Sequence, residues 1–455
     1  MLGRAVKALD AQRYGLDVAG QNIANVNTPG YVRRSALLVE TPPPDPQTPG
    51  GGVDVLGVVA SRAPLVEARL RYERPAANRE AAVADQLAVI EAGLGQPGAS
   101  LDATLAQFYN TYATLAQSPT SSTARQQVIV QGQSLSRAFN DMANRFETVR
   151  RSSDVELRAD VARVNALAGQ LADINHQISQ TDEQNAQGLF DQQSEVIKSI
   201  SALVDVNVIT RPDGALDVSI GNGRALVIGD TPYQLSLTAS SSTGYATITT
   251  NGAASTTDVT TEITGGRIGG LLHVRDTLIP GYATQLDQLA YSVATDVNAI
   301  TTSGFDLNGN PGTAFFTPLA GVANAATLIA VNAAVVADNR LVVTSSTTAV
   351  GNNDLALAIG ALQDLAMTGD TARPVEGWGS LVYTVATDSE RAIEGRNAHE
   401  QVAHQLSNLW DQTSGVSIDE EAAMLLRFQK AYEANAKFFQ VVDQTLELLM
   451  QLGKR

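Results

Sequence analysis

The last long stretch of the chain constrains the fold more than any other. Residues 415–452 contain no proline and no glycine after the first position, and acidic side chains crowd the beginning, which suits the dipole of a helix. Apolar residues recur there at alternating spacings of three and four, the heptad pattern of a coiled coil. This predicted C-terminal seam consists of Leu425, Phe428, Tyr432, Asn435, Phe439, Val442, Leu446 and Leu449. Asn435 is its one polar member, and a lone polar residue can set the register of a seam.

A second amphipathic stretch lies at the opposite end of the chain, over residues 2–25. The same alternation predicts an N-terminal seam made of Leu2, Val6, Leu9, Leu16 and Ile23. Arg13 and Gly20 are its two weak points. We therefore predict that the two terminal helices meet. Periodicity alone does not separate this arrangement from two ordinary helices that each cover a core.

Length and charge limit the class of protein. A chain of 455 residues is expected to form two to four domains. The formal charge of −16 opposes binding to nucleic acid and to anionic membranes. No apolar run approaches the roughly 20 residues that a bilayer span requires, and Asp10, Arg13 and Asp17 interrupt any signal-peptide core. The absence of cysteine fits a protein outside the cell without disulfides, or chance.

The first half of the chain is predicted to be mostly helical. Thr28 precedes proline, and Pro29-Gly30 are the preferred centre of a type II turn, so the first helix should stop there. Residues 33–40 resemble a strand, and 53–66 a hairpin or an extended arm. A helical block then covers 67–203. A regular seam within it is made of Leu157, Val161, Val164, Leu167 or Ala168, Leu171, Ile174 and Ile178.

At Val204 the apolar period changes from helical spacing to two. Asn222-Gly223 between alternating runs is a strong hairpin signal, and it indicates an antiparallel β insert that ends near residue 263. Two glycine pairs, at 265–266 and 269–270, are expected to break the chain as a domain joint. Helices are predicted at 271–300, with a kink at Pro280, and at 381–409.

The predicted fold class is α+β, mainly α with a β insert. Terminal helices form an inner coiled coil, followed by a long helical bundle domain and an antiparallel β-rich outer insert. The predicted inner domain comprises residues 1–40 and 415–455. The helical, rod-like domain comprises 53–204 and 264–410. The insert covers 205–263, with part of 320–350 as a further candidate.

The candidate chemical sites are each weak. His399 and His404 are five residues apart, so their rings face different sides of a helix and do not form a zinc pair. Asp306, Asn308 and Asn310 have calcium-loop spacing, but the loop lacks the glutamate that would complete it. The glycine spacing at 265–270 does not match a dinucleotide fingerprint. We therefore predict no catalytic residues, no cofactor and no metal, and a protein that is not an enzyme.

The two ends together carry a resemblance to a known family. The N-terminal motif is made of Asn22, Ile23, Ala24, Asn25, Asn27, Thr28, Pro29, Gly30 and Tyr31. It resembles the shared signature of the bacterial flagellar axial proteins, which comprise rod, hook and hook-associated proteins. Residues 414–416, 419–423 and 428–437 resemble the C-terminal half of that signature, in the wording of the hook-associated branch. Residues 203–208 and 304–316 resemble the same branch, although the insert is small for it.

The resemblance implies a structural role in the flagellum, at the junction between hook and filament. It implies self-assembly into a helical ring, with hook protein below and a second junction protein or flagellin above. It also implies an extracellular location and export through the flagellar type III apparatus without a cleaved signal, after an export chaperone has bound the C-terminal helix. A hook or distal rod protein of the same family is the alternative.

The terminal helices are not expected to be stable by themselves. Backbone entropy opposes the ordering of about 60 terminal residues, and short helices remain marginal in water without tertiary contacts. We predict that both ends are disordered in the free monomer and fold on assembly. The remaining apolar surface would then be buried against neighbouring subunits.

Overall fold

The computed structural model describes residues 2–42, 50–94, 100–182, 186–251, 256–369 and 371–452. Its longer helices are α1 (Leu2–Ala24), α2 (Pro64–Leu94), α3 (Leu101–Leu115), α4 (Ser122–Ser179), α5 (Gln187–Leu203), α6 (Gly266–His273), α7 (Ile279–Thr302), α10 (Asp354–Ala361), α11 (Pro374–Ser414) and α12 (Ile418–Leu452). The short helices α8 (Ala325–Leu328) and α9 (Ala333–Ala337) lie between α7 and α10. These elements, with the sheets below, confirm the predicted fold class.

The strands form three small antiparallel sheets. A hairpin joins β1 (Arg34–Thr41) to β2 (Gly52–Ala60). The insert contains a four-stranded sheet of β3 (Val206–Thr210), β4 (Leu216–Ile220), β5 (Arg224–Ile228) and β6 (Thr231–Pro232). Its second sheet consists of β7 (Leu235–Ala239), β8 (Ala246–Asn251) and β9 (Thr256–Asp258).

Helix α4 is the longest element and passes through both hydrophobic cores. It begins where Ser121 accepts a hydrogen bond from the backbone N–H of Ala124, at 3.3 Å. Its N-terminal half contributes Phe139 and Phe146 to the first core, with α2, α3, α7 and α11. The seam predicted between 157 and 178 is buried, with Ala168 and not Leu167 at its fourth position. That half of α4 packs in a second core with α5, α6 and the β insert.

Two of the predicted domain assignments differ from the structure. Residues 320–350 do not join the β insert, because Ala325, Val335 and Val342 lie in the first core. The fully buried Arg125 holds this region to α4 by donating to the backbone oxygen of Val342. The boundary predicted at residue 53 falls inside the β1–β2 hairpin, so 53–60 are not part of the helical domain.

The glycine pair at 269–270 does not break the chain, because both residues lie within α6. A side chain at Gly270 would meet the backbone oxygen of Arg79 at 2.4 Å, so this glycine allows α6 to pack closely on α2. The interruption comes at Gly266, whose φ of 69° favours glycine. Pro280 lies in the first turn of α7. A π-helical turn over residues 274–278 comes directly before it and joins α6 to α7.

Asparagines on helices hold extended segments by one recurring geometry. The side-chain amide of Asn165 on α4 accepts from the N–H and donates to the C=O of Leu235, both at 2.8 Å. Asn175 and Asn298 do the same for Leu216 and Phe316. Each amide replaces the partner strand that these backbone groups would otherwise need. Because the partners are distant in sequence, the pattern has no local signature.

Candidate assembly site at the chain termini

The two terminal helices pack against each other, as the sequence predicts. Asn22 of α1 bonds to Glu421 of α12, and Gly15 lies against the ring of Phe428. These contacts are seven residues apart on each helix and run in opposite directions, so the helices are antiparallel. A side chain at Gly15 would come within 2.6 Å of the Phe428 ring, so this close approach requires glycine.

The face of α1 that becomes buried is not the predicted N-terminal seam. Small residues occupy the buried face, which is made of Ala5, Ala11, Gly15, Val18, Ala19 and Asn22. Leu9, Leu16 and Ile23 are only half-buried, Val6 is 43% exposed, and the side chain of Leu2 is outside the described part. The larger seam residues were the natural choice by hydropathy. Small residues occupy the buried face instead, because they let the two helices approach closely.

The C-terminal seam divides into two parts. Val442 is buried, and four seam residues are half-buried: Leu425, Phe428, Asn435 and Phe439. Tyr432, Leu446 and Leu449 are exposed, the last at 59%. The antiparallel alignment places the start of α1 level with about residue 441, so the end of α12 projects beyond it.

A set of large apolar side chains along α12 remains exposed within the described chain. Its members are all exposed by half or more: Leu426, Phe438, Val441, Leu448, Leu449 and Met450. Soluble monomers rarely leave large apolar side chains grouped in this way, and such groups mark interaction sites. We name these six residues the open face of α12.

The N-terminal motif forms the turn that leads from α1 into β1. The backbone N–H of Tyr31 donates to the carbonyl of Thr28 at 3.2 Å, and Gly30 has a φ of 77°, as a type II turn requires. Thr28 also donates its hydroxyl to Asn25. A side chain at Gly30 would come within 2.4 Å of Glu195 on α5, so two independent constraints demand glycine here.

Asn22 is the centre of a buried hydrogen-bond network beneath this turn. Its amide holds both backbone groups of Arg34, at 2.8 and 3.0 Å, in the geometry that Asn165 shows elsewhere. Its oxygen also accepts from the hydroxyl of Tyr31, and its nitrogen donates to Glu421. Burial raises the pKa of Tyr31, which therefore remains a donor at neutral pH. The network joins α1, β1 and α12 at one point.

Two adjacent arginines extend this network to the helical core. Arg33 binds Glu421 at 2.7 Å and Glu420 at 3.0 Å, at the start of α12. Arg34 and Arg62 both bind Asp191 on α5, at 2.9 and 2.7 Å. Burial raises the pKa of Asp191, although the two guanidinium groups oppose that shift. This cluster, with Asn22 and Tyr31, is named the terminal joint.

Some motif residues are not part of the joint. Asn27, Thr28 and Pro29 are exposed, and Ala24 lies on the outer side of α1. Conversely, the sequence reading missed Arg33, Arg34, Arg62 and Asp191. The Arg-Arg pair directly after the motif was an available signal for the first two. Nothing local distinguishes Asp191, because its partners lie more than 120 residues away.

The weak chemical candidates have structural partners. His399 binds the buried Glu73 at 2.7 Å and so connects α11 to α2. Asp306 accepts from the backbone N–H groups of Asn308 and Asn310, which makes the loop an internally satisfied turn. Within the described ranges, no group of three or more possible ligand side chains could hold a metal ion. In the same ranges, no helix is long and apolar enough to cross a lipid bilayer.

Both ends of the chain match models of flagellar rod proteins. Residues 4–31 match the family described as flagella basal body rod protein. Residues 411–452 match flagellar basal body rod FlgEFG protein C-terminal. The paired terminal helices and the joint thus define the class of axial flagellar proteins. Residues 87–316, half of the chain, match the flagellar hook-associated protein FlgK helical domain, and the chain belongs to that family.

Individual relatives agree with this assignment. The flagellar hook-associated protein 1 of Salmonella typhimurium is 27% identical over 70% of this chain, which spans only 59% of that relative. The proteins of the same name from Escherichia coli and Bacillus subtilis are 23% and 25% identical, over 99% and 98% of this chain and 99% and 96% of theirs.

A solved structure shows the same fold. The flagellar hook junction protein FlgK from Burkholderia pseudomallei superposes with a TM-score of 0.67 at 16% identity. The match covers 75% of this chain and 98% of that one.

Proposed function

We propose that this protein is a structural component of the bacterial flagellum that forms the hook–filament junction by self-assembly through its terminal helices. The observation that carries the proposal is the open face of α12, which lies beside the joint that both terminal motifs build. Hook protein would lie below it, and a second junction protein or flagellin above.

Helix length explains why a second chain is needed. At about 1.5 Å per residue, the 23 residues of α1 extend about 35 Å, whereas the 35 residues of α12 extend about 52 Å. Helix α1 also covers only one side of its partner. Neighbouring copies would bury the remaining apolar side chains, at about 25 cal/mol for each Å² removed from water. The free ends would then be disordered before assembly, because α1 alone does not offset the entropy of ordering them.

The same open face supports the proposals for export. An exposed apolar helix in a subunit that has not yet assembled is a risk for aggregation, and an export chaperone that binds α12 would cover it. The protein would then leave the cell through the flagellar type III apparatus without a cleaved signal. The rod and hook alternative shares both terminal motifs, and the match of residues 87–316 favours the hook-associated assignment.

Two substitutions test the assembly surface. Tyr432 and Leu446 are 39% and 42% exposed, so Tyr432→Asp and Leu446→Asp should leave the monomer folded. We expect both variants to fail to enter flagella, because a buried charge without a partner is costly. The measurement is the amount of each variant in purified hook–filament structures. Gln440→Asp adds the same charge at an exposed position of α12, where the neighbouring side chains on the helix surface are small or polar, and it should assemble normally.

Normal incorporation of both variants would exclude the exposed part of the C-terminal seam from the assembly surface. The position in the flagellum is tested separately by deletion of the gene. We expect hooks without filaments, with flagellin released into the medium. A labelled protein found along the whole hook, or in the rod, would instead support the alternative.

A further inference from the structure

A cavity of about 250 Å³ lies between the motif turn, α2, α5 and α11, next to the terminal joint. The turn contributes Gly30, α2 contributes Arg71 and Arg74, α5 contributes Ser201, and α11 contributes Trp410. Pockets for drug-sized ligands and cofactors are usually larger, about 300–1,000 Å³. The volume suits a single side chain or a small organic ion.

Two arginines in the cavity wall form no ion pair within the described chain, although three carboxylates also line the cavity: Glu67, Glu195 and Asp411. The guanidinium groups of Arg71 and Arg74 form no hydrogen bond or ion pair with the residues that the structure describes. The other two wall cations differ, since Arg62 is bound by Asp191 and Lys198 by Glu195.

Arg74 is half-buried, so it has lost part of its hydration without gaining a hydrogen-bonded counter-ion among the described residues. Burial lowers its pKa, although the nearby Glu195 opposes the shift. A half-buried guanidinium in this state is strongly stabilised by an anion that forms charge-assisted hydrogen bonds with it.

A third group in the wall is also unsatisfied. Ser201 is 1% exposed, and its hydroxyl oxygen has no hydrogen-bond partner among the described residues. Buried hydroxyl groups are nearly always bonded, so an unpaired one indicates that a ligand or water completes the site. A hydroxyl and two guanidinium groups in the wall of one cavity supply several hydrogen-bond donors, which a carboxylate can accept.

We propose that this cavity binds a carboxylate, which an acidic side chain of a second copy supplies in the assembly. The chain carries 47 acidic and 31 basic residues, so neighbouring copies present carboxylates in excess. The cavity adjoins the joint that positions α12, which is where subunits would meet. The source of the carboxylate rests on the proposed function, whereas the chemistry of the cavity does not.

The first experiment tests the chemistry in the purified full chain. Trp410 lines the cavity, and the second of the two tryptophans, Trp378, is buried in the first core. Glutarate should change the tryptophan fluorescence saturably at constant ionic strength, and Trp410→Phe should remove the response. Arg74→Gln should weaken binding about tenfold or more. Arg163→Gln, at an exposed position on α4, loses the same charge and should bind as the wild type does.

The second experiment tests the source of the carboxylate. Arg74→Gln should raise the concentration needed for self-assembly about tenfold relative to Arg163→Gln. Glutarate binding with unchanged assembly would assign the cavity to a free carboxylate instead of a neighbouring chain. No saturable response in the wild type, or an equal response in Arg74→Gln, would overturn the proposal. A wild type that binds glutarate but never assembles would count against the proposed function alone.

Discussion

The helical core and the terminal helix pair use the same residue types in opposite ways. Phe108 of α3 is fully buried and contacts four other aromatic rings, with centroids 5.4–5.7 Å apart. Phe438 of α12 has a comparable side chain and is half exposed. The core therefore buries its apolar side chains within one chain, whereas the terminal pair leaves several of them exposed. The difference supports the proposal that the terminal pair completes its apolar packing only in an assembly.

The terminal joint contrasts with the open face beside it. Asn22 satisfies buried backbone groups as Asn165 does in the β insert, and the joint adds charged partners. The polar connections of α12 to the rest of the chain thus lie at its first turns, and its apolar contacts are incomplete further along. This arrangement would orient α12 and leave its open face free for another subunit.

The largest expected effect tests the contrast between buried and open apolar residues. Phe108→Ala should lower the free energy of unfolding of the monomer by about 3–5 kcal/mol, because it leaves a cavity in a closed core. Leu448→Ala should change it by less than about 0.5 kcal/mol, because that side chain is 60% exposed. Urea unfolding measures both. Equal losses would mean that the open face is already covered in the monomer.

A smaller effect is expected at the joint. Asn22→Ala leaves both backbone groups of Arg34 without partners and should cost about 1–3 kcal/mol. In the assembled protein, the cost should appear as faster hydrogen exchange at the start of α12, with α4 unchanged. Asn165→Ala is the matched change on α4, where Asn165 binds the backbone of Leu235. It should speed hydrogen exchange in β7 instead. Faster exchange throughout the chain after Asn22→Ala would show that the two regions unfold together.

The smallest effect concerns two carboxylates with pKa shifts of opposite sign. Burial opposes ionisation of Asp154, but hydrogen bonds from Ala246, Arg158 and Arg275 outweigh it and lower its pKa below the ordinary 3.8. Its stabilising contribution is therefore present above about pH 4 and is lost as the pH falls through the folded pKa. At the joint, burial raises the pKa of Asp191, so its contribution is lost as the pH rises.

The free energy of unfolding, measured from pH 2 to 7, checks the opposite pH dependences of Asp154 and Asp191. The stability difference between the wild type and Asp154→Asn should shrink as the solution becomes more acidic. The difference between the wild type and Asp191→Asn should shrink as the pH rises. Parallel trends for the two variants would contradict the opposite environments that the structure gives them.

Periodicity in the sequence was sufficient for much of the fold. The terminal helices, the long seam of α4 and the change to β structure near Val204 all follow from spacing, because each element buries one face. The turn at Pro29-Gly30 also follows from its residues alone. The predicted N-terminal seam failed as a description of the buried face, because hydropathy favours large side chains and the contact with α12 selects small ones.

The amino-acid order thus dictates local conformation, amphipathic faces and the family motifs, since these depend on neighbours within about one helical turn. Tertiary structure decides which face of α1 is covered, where Asp191 meets two arginines, and how far α12 projects past its partner. Those features join residues more than a hundred positions apart. They arise from close approach and from the pairing of buried polar groups, neither of which leaves a local pattern in the chain.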